Sequence, residues 1–459
     1  MKKTYIIWFL LGAAFAFTLR VLLLPYGNHN DLITNTGWSE WIYIYGTRGF
    51  YGNRVWVFDW PTQLPLMNLI YDFNYVIYGK TLWLITMIRN IFMTYNFLPT
   101  IFKHWSNFVS WFGWTYYLNT PFVTGHIISM KLLPIISDII IGLVVFLIGS
   151  KYADRRKGLL ASLLYLLSPF SIYISSLWGQ YDQLSALFLL LSFYFIYIGK
   201  ESTGKFKYWY LPLSVIVYFI AVEVKPIAVF TAPFYAFYIL RQKPKLWSLV
   251  ISFLVGLGLF VVTTIPFTEG NTFFYTINTI FPKVFNQTRN VLSTQAFNFW
   301  ELISPMKQSS LDFTMIGIKA ILWGYLFLVI LNAISIFIIS RKNDLKNMVL
   351  GLFITTGGSY IFATGMLDRY YFAGLVFFLI LTMFYNKTLI LWLAAALLFS
   401  INLFVSWGYP VNLQLHDVFW ANYPLVRILS FLQTGIFVLM VIISFKSNNS
   451  IKLNRGRTK

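Results

Sequence analysis

Apolar runs of about 15 to 25 residues, separated by short polar breaks, recur along almost the whole chain. A helix needs roughly 20 residues to cross a hydrocarbon core. The pattern therefore predicts about twelve spans, at 4–24, 127–149, 158–176, 184–198, 208–222, 227–240, 246–266, 318–340, 348–366, 370–385, 389–405 and 426–445. Three longer connections remain, at 25–126, 267–317 and 406–425. The first holds two semi-apolar parts, 64–78 and 82–102, interrupted by Asp72, Lys80, Arg89 and Lys103. We read these as helices lying in the membrane interface, with aromatic anchors and a polar face, rather than as an extra pair of spans.

The fold expected is an all-α polytopic membrane protein. It divides into a transmembrane module over 1–266 that contains the loop 25–126, a loop 267–317, a second module over 318–445 and a basic tail 446–459. No internal repeat, low-complexity tract or soluble domain is visible. The first run meets no small-residue cleavage site before Pro25, so it is expected to be a retained helix and not a cleaved signal.

Composition agrees: 58% hydrophobic, 20% aromatic and 11% charged residues, with a mean hydropathy of +0.67, lie outside the range of soluble globular chains. The net charge of +20 would suggest a nucleic-acid partner in a soluble protein. Here Lys and Arg concentrate in alternate short connections (151–157, 199–207, 241–245, 341–347 and Lys387) and at both termini. That bias predicts cytoplasmic termini, with a lipid bilayer rather than nucleic acid as the partner. Carboxylates gather on the opposite, outer side: Asp31, Asp59, Asp182, Glu223, Glu301 and Asp368 all fall there, while Asp138 lies inside a span.

The absence of Cys excludes disulfides, thiolate metal sites and a Cys nucleophile. His29, His104, His126 and His416 have no metal-ligand spacing. A divalent metal is compatible with so many outer carboxylates, but no spacing specifies one, so no cofactor is assigned. No glycine-rich phosphate loop is present, which argues against a nucleotide as direct substrate.

Five outer-face stretches could carry chemistry. Asn28-His29-Asn30-Asp31 puts a carboxylate at a helix exit, where it can act as general base on a hydroxyl. Phe58-Asp59-Trp60-Pro61 stiffens the return of the first loop. Trp178-Gly179-Gln180-Tyr181-Asp182 joins two apolar runs, where amide and carboxylate are costly to place idly. Glu223-Val224-Lys225-Pro226 breaks another run; Lys225 could neutralise a phosphate or simply pair with Glu223. In Asp368-Arg369-Tyr370, Arg369 offers the planar fork that suits phosphate, or else a surface pair with Asp368. A sixth segment, Ser293-Thr294-Gln295-Ala296-Phe297-Asn298-Phe299-Trp300, could line a cleft, and Asp138 is expected to be a buried hydrogen-bond partner.

These motifs, with Lys131-Leu132-Leu133-Pro134 before them, occur in an order that resembles prokaryotic GT-C-fold glycosyltransferases, mannosyltransferase-like membrane proteins that use polyprenyl-phosphate sugars. The resemblance runs from Asp31 to Tyr371. It implies two outer-surface helices in the first loop, a site between outer loops and membrane, and transfer of a hexose, mannose first, to a glycan or protein acceptor with inversion. By position, Asp31 matches the catalytic carboxylate and Asp59 a supporting acid. Arg369 and Lys225 would bind the donor phosphate; Trp178, Gln180, Tyr181, Asp182, Asn298 and Trp300 would shape the pocket. Two departures stand out: Thr62 replaces a second Pro, and Leu367-Asp368 stands where His-Glu is common. The competing expectations are a polysaccharide polymerase or ligase with a lipid-diphosphate donor, and a lipid-linked sugar transporter or flippase.

Overall fold

A computed structural model describes residues 3–24, 29–52, 61–94, 121–202, 206–286, 290–304, 309–385, 388–407 and 418–455. Asp59, His104 and His416 lie outside these residues. Each of the twelve apolar runs is helical. In order, the chain forms α1 (Lys3–Leu23), α2 (Asn30–Tyr45), α3 (Pro65–Thr94), α4 (Pro121–Tyr152) and α5 (Arg155–Leu166). It continues with α6 (Asp182–Glu201), α7 (Phe206–Val224), α8 (Ala232–Arg241) and α9 (Leu246–Thr264). The second half forms α10 (Ala320–Arg341), α11 (Leu345–Phe362), α12 (Phe372–Thr382), α13 (Leu389–Trp407) and α14 (Tyr423–Arg455). Seven helices are long and apolar enough to cross a membrane, or eight if the bent pair Arg155–Leu166 and Pro169–Trp178 makes one span. The α7, α8 and α12 segments are shorter apolar helices. Strands among the described residues are two-residue pairs.

In the first loop, the parts read as two helices are one. The break at Gly79-Lys80 does not interrupt α3, which runs through it, at least to Thr94. Gly79 costs helix propensity, by about 1 kcal/mol against Ala, but Lys80 is a good helix former and a single Gly does not end a helix of this length. Helix α2, which precedes it, packs beside it around Trp38, Ile42, Met67 and Tyr71.

The centre of the molecule is α11 and α12, buried along nearly their whole length. By contrast, α1 buries only Phe9, Ala13, Ala16 and Arg20, one stripe at helical spacing. Helices α4 and α5 close on each other at Gly149 and Gly158, where a Cβ on Gly149 would lie 2.4 Å from the Gly158 Cα.

The run 158–176 is not a straight span. Pro169 starts a new helical turn after Ser168, and the two parts meet at 47°. A π-helical turn, Tyr173–Trp178, follows and ends at Gly179, whose φ of +71° is left-handed. A Cβ there would also meet Leu32 and Lys131 at 3.0 Å, so glycine alone fits the turn without strain or displacement. Behind this turn Arg20, fully buried, donates to Asp138 (3.1 Å), Ser175 Oγ (3.3 Å), Ser171 Oγ (2.8 Å) and the carbonyl of Leu166 (2.7 Å). Tyr165 closes the other Asp138 oxygen at 2.5 Å. Asp138 is thus the structural partner expected, and Arg20, unremarked within the first apolar run, is its counter-ion.

Candidate active site

Four breaks between helices converge at one end of the bundle. The α2 N-terminus brings Asp31, the Gly179 turn brings Trp178, Gln180 and Asp182, the α7–Pro226 break brings Lys225, and the α11–α12 turn brings Arg369. Each is a place where the helix must stop: His29 caps α2, Gly179 reverses the chain, and Pro226 cannot continue α7. The last turn is held by a short parallel pairing of Ser293–Thr294 with Met366–Leu367, which lays the 290–304 segment against it.

Asp31 is the hub. Its Oδ2 sits 3.1 Å from Arg369 Nη2 and accepts from Gln180 Nε2 at 2.9 Å. Lys225 Nζ lies 3.3 Å from Asp182 Oδ2, and Glu223 instead accepts from the Leu66 backbone N–H and the Thr263 hydroxyl. The Lys225–Glu223 pair is therefore absent. Arg369 does approach Asp368 at 3.5 Å, but in a buried setting rather than as a surface pair. Its guanidinium lies 5.4 Å from the centre of the Trp178 ring and 5.8 Å from that of Tyr370, with Lys225 5.5 Å from Tyr370. Its Nε is buried without a hydrogen-bond partner among the described residues.

Asp31, Trp178, Lys225, Asp368, Arg369 and Tyr370 line a cavity of about 570 Å³, whereas Gln180 and Asp182 hold Asp31 and Lys225 without lining it. His29, Asp31, Lys225 and Arg369 make part of its lining polar. The rest of the lining is largely apolar: Ile321, Gly324, Tyr325 and Leu328 come from a single stripe of α10, and Ile227, Val229 and Phe230 from the Pro226–Thr231 turn.

Burial works against charge on Asp31, yet the Arg369 guanidinium, with His29, Lys225 and the Gln180 amide, outweighs it and holds the carboxyl below its ordinary value. Asp368 goes the other way. Burial pushes it up to about 6, against the pull of Arg369. Burial and the nearby Arg369 lower His29 to about 4, against the attraction of Asp31, so its imidazole is neutral at physiological pH. Arg369 is buried but is held charged by Asp31 and Asp368.

Of the residues singled out from the sequence, Asp31, Trp178, Gln180, Asp182, Lys225 and Arg369 come together. Tyr181 does not face the cavity: it is buried, donates to the Met130 carbonyl and packs on Tyr71. Asn298 and Trp300 are likewise taken up structurally. Asn298 caps the helix Phe299–Ile303 and donates to the Tyr360 carbonyl, while Trp300 Nε1 donates to the Phe362 carbonyl. From that segment it is Thr294 and Gln295 that reach the cavity. His29 and Trp407 were missed. As a chemical group His29 enters the sequence reading only as a metal ligand, and Trp407, which packs on His29 and Trp178, falls in the connection 406–425, just past an apolar run, where nothing marks one aromatic above the others.

Among the described residues no three His, Asp or Glu side chains cluster as metal ligands. Asp31, Asp182 and Asp368 each already face a cation within 3.5 Å, so this donor set does not fit a divalent ion.

A family model described as dolichyl-phosphate-mannose-protein mannosyltransferase matches residues 111–268 of the 459. The match includes the Gly179 turn and Lys225, and it ends before Arg369 and begins after Asp31. No curated protein matches the chain. The polytopic all-α architecture and this match define a membrane glycosyltransferase of the mannosyltransferase type, with the GT-C fold.

Proposed function

We propose that the enzyme transfers a hexose, mannose first, from a polyprenyl-phosphate donor to a hydroxyl of a glycan or protein, with inversion, at the outer face of the cell membrane. The observation that carries this reading is one carboxylate, Asp31, fixed between Arg369 and Gln180 on a cavity that is lined both by charged groups and by an apolar helix stripe. The phosphate binds at Arg369, whose buried Nε is without a partner among the described residues, with Lys225 also lining the cavity. The prenyl chain lies along the α10 stripe. Asp31 Oδ1, the oxygen not taken by Arg369 or Gln180, accepts the hydroxyl proton as that oxygen attacks the anomeric carbon. The bond to phosphate breaks, and polyprenyl phosphate leaves with the electron pair, stabilised by Arg369.

Charge balance favours a monophosphate donor over a lipid diphosphate. Two cations face the carboxylates of Asp31, Asp182 and Asp368, so each further negative charge is increasingly costly here. A transporter would place its polar groups near the bilayer midplane, whereas these gather at one end of the helices.

The test is transfer by purified protein from radiolabelled polyprenyl-phosphate sugars to membrane-extract acceptors. Donor consumption that Asp31→Asn reduces by about 10² to 10⁴, the usual worth of a positioned base, with an unchanged melting temperature, is the expected result. Full activity in Asp31→Asn would remove the general-base assignment; no consumption of any donor would remove the reading itself.

A further inference from the structure

We infer that His29 is a substrate-binding residue of this site, its neutral imidazole presenting Nε2–H as a fixed donor to a carbohydrate hydroxyl. The inference rests on the glycosyl-transfer reading and adds a contact to it. The tautomer follows from geometry: the Asp31 backbone N–H lies 3.0 Å from His29 Nδ1. A backbone nitrogen can only donate, so Nδ1 accepts and the ring proton is on Nε2. The 3.6 Å approach of Nδ1 to Asp31 Oδ1 is then a close contact and not an ion pair.

The ring is held on more than one side. Its Nδ1 edge is tied to the first turn of α2, and the ring packs on Trp178, tilted at 4.6 Å, and on Trp407, edge to face at 5.2 Å between centroids. The edge left over carries Nε2–H, which has no partner among the described residues, and His29 lines the cavity. The site's other strong donors, Arg369 and Lys225, are cations suited to phosphate. A sugar hydroxyl is neutral, and a neutral donor packed against a pair of touching indoles beside the proposed catalytic carboxylate suits it better. Arg369, close enough to disfavour an imidazolium, helps to keep the ring in that form.

Asn is among the best N-capping residues, so His29→Asn keeps the bond to the Asp31 N–H while its short amide falls short of where Nε2 sits. The experiment measures binding of a polyprenyl-phosphate hexose and of bare polyprenyl phosphate to full-length protein, with acceptor KM beside it. His29→Asn is expected to weaken hexose-donor binding, or to raise acceptor KM, by about 3- to 10-fold, one neutral hydrogen bond. It should leave bare polyprenyl phosphate affinity as in wild type. Loss in the donor arm assigns the hydroxyl to the donor sugar, loss in the acceptor arm to the acceptor. In ¹⁵N-histidine spectra of the wild type at pH 7, His29 should carry its proton on Nε2 alone. Unchanged donor and acceptor arms, equal weakening toward both lipids, or a protonated Nδ1 would each overturn the inference while wild-type transfer left the glycosyl-transfer reading standing. Wild-type protein that bound neither lipid would overturn both. His29→Ala, which loses the cap as well, separates stability from sugar contact: it should melt below His29→Asn.

Discussion

Asp31 has a pKa held below the ordinary carboxylate value, which on its own makes a poor base. The geometry supplies a remedy within the reaction. Arg369 is shared between Asp31 and the place proposed for the leaving phosphate, so charge growing on that phosphate draws the guanidinium away and restores basicity to the carboxylate as the proton moves. Asp368, on the other flank of Arg369, then sets the pH response. Its folded pKa, about 6, is above that of a free Asp, so it contributes stability as pH falls through about 6 and withdraws that share above it. For donor binding the sign is the same: protonating Asp368 removes a negative charge beside the phosphate site. Donor KM is expected to fall about tenfold between pH 7.5 and 5, the scale of one like charge a few ångströms away, discounted for screening. Asp368→Asn should be low and flat over that range; an equal pH dependence in the variant would remove Asp368 from the explanation.

The elements that matter most are the interruptions, and these were unequally legible. Every apolar run became a helix because hydrophobic content fixes that without reference to neighbours. The Gly179 turn and the Lys225-Pro226 and Asp368-Arg369 breaks were visible for a related reason: glycine, proline and charge stand out against an apolar background. What sequence spacing did not disclose was which groups pair. Lys225 has Glu223 two residues away and takes Asp182 instead, 43 positions distant in sequence. Asn298 and Trp300 carry polar atoms suited to a pocket, and tertiary packing spends those atoms on backbone carbonyls. Arg20 was hidden because a lone Arg in an apolar run has meaning only once Asp138 faces it. That pair anchors the bent segment carrying Trp178, so breaking it should loosen the site and the fold together. Arg20→Ala or Asp138→Ala is expected to cost about 3 to 5 kcal/mol, since each leaves a buried charge unpaired. Thermal unfolding in detergent checks this. The double variant Arg20→Met/Asp138→Leu should recover part of the loss, and a double variant as unstable as the sum of the singles would contradict an interaction between them.

At the scale of the molecule, two chemistries meet in one cavity because helix ends and a helix flank both line it. The polar lining comes from the start of α2, the break after α7, the α11–α12 turn and the turn before α6; the apolar lining comes from the flank of α10, an unbroken helix, and from the turn after Pro226. Ile321, Gly324, Tyr325 and Leu328 follow the 3.6-residue period, so the stripe is continuous and a linear hydrocarbon can lie along it. Gly324 keeps the stripe low where Thr364 crosses within 3.0 Å of where its Cβ would be. Filling the groove away from the charged groups should therefore separate lipid recognition from chemistry. Leu328→Trp is expected to raise KM for a long-chain polyprenyl-phosphate sugar about tenfold or more, the steric loss of several buried methylenes at about 0.8 kcal/mol each. The same variant should leave kcat and the KM of a short-chain prenyl-phosphate sugar near wild type. Transfer assays with the two donors side by side make the comparison. Equal impairment toward both would mean that the stripe shapes the catalytic end itself, and unimpaired transfer from the long-chain donor would place the prenyl chain elsewhere on the bundle.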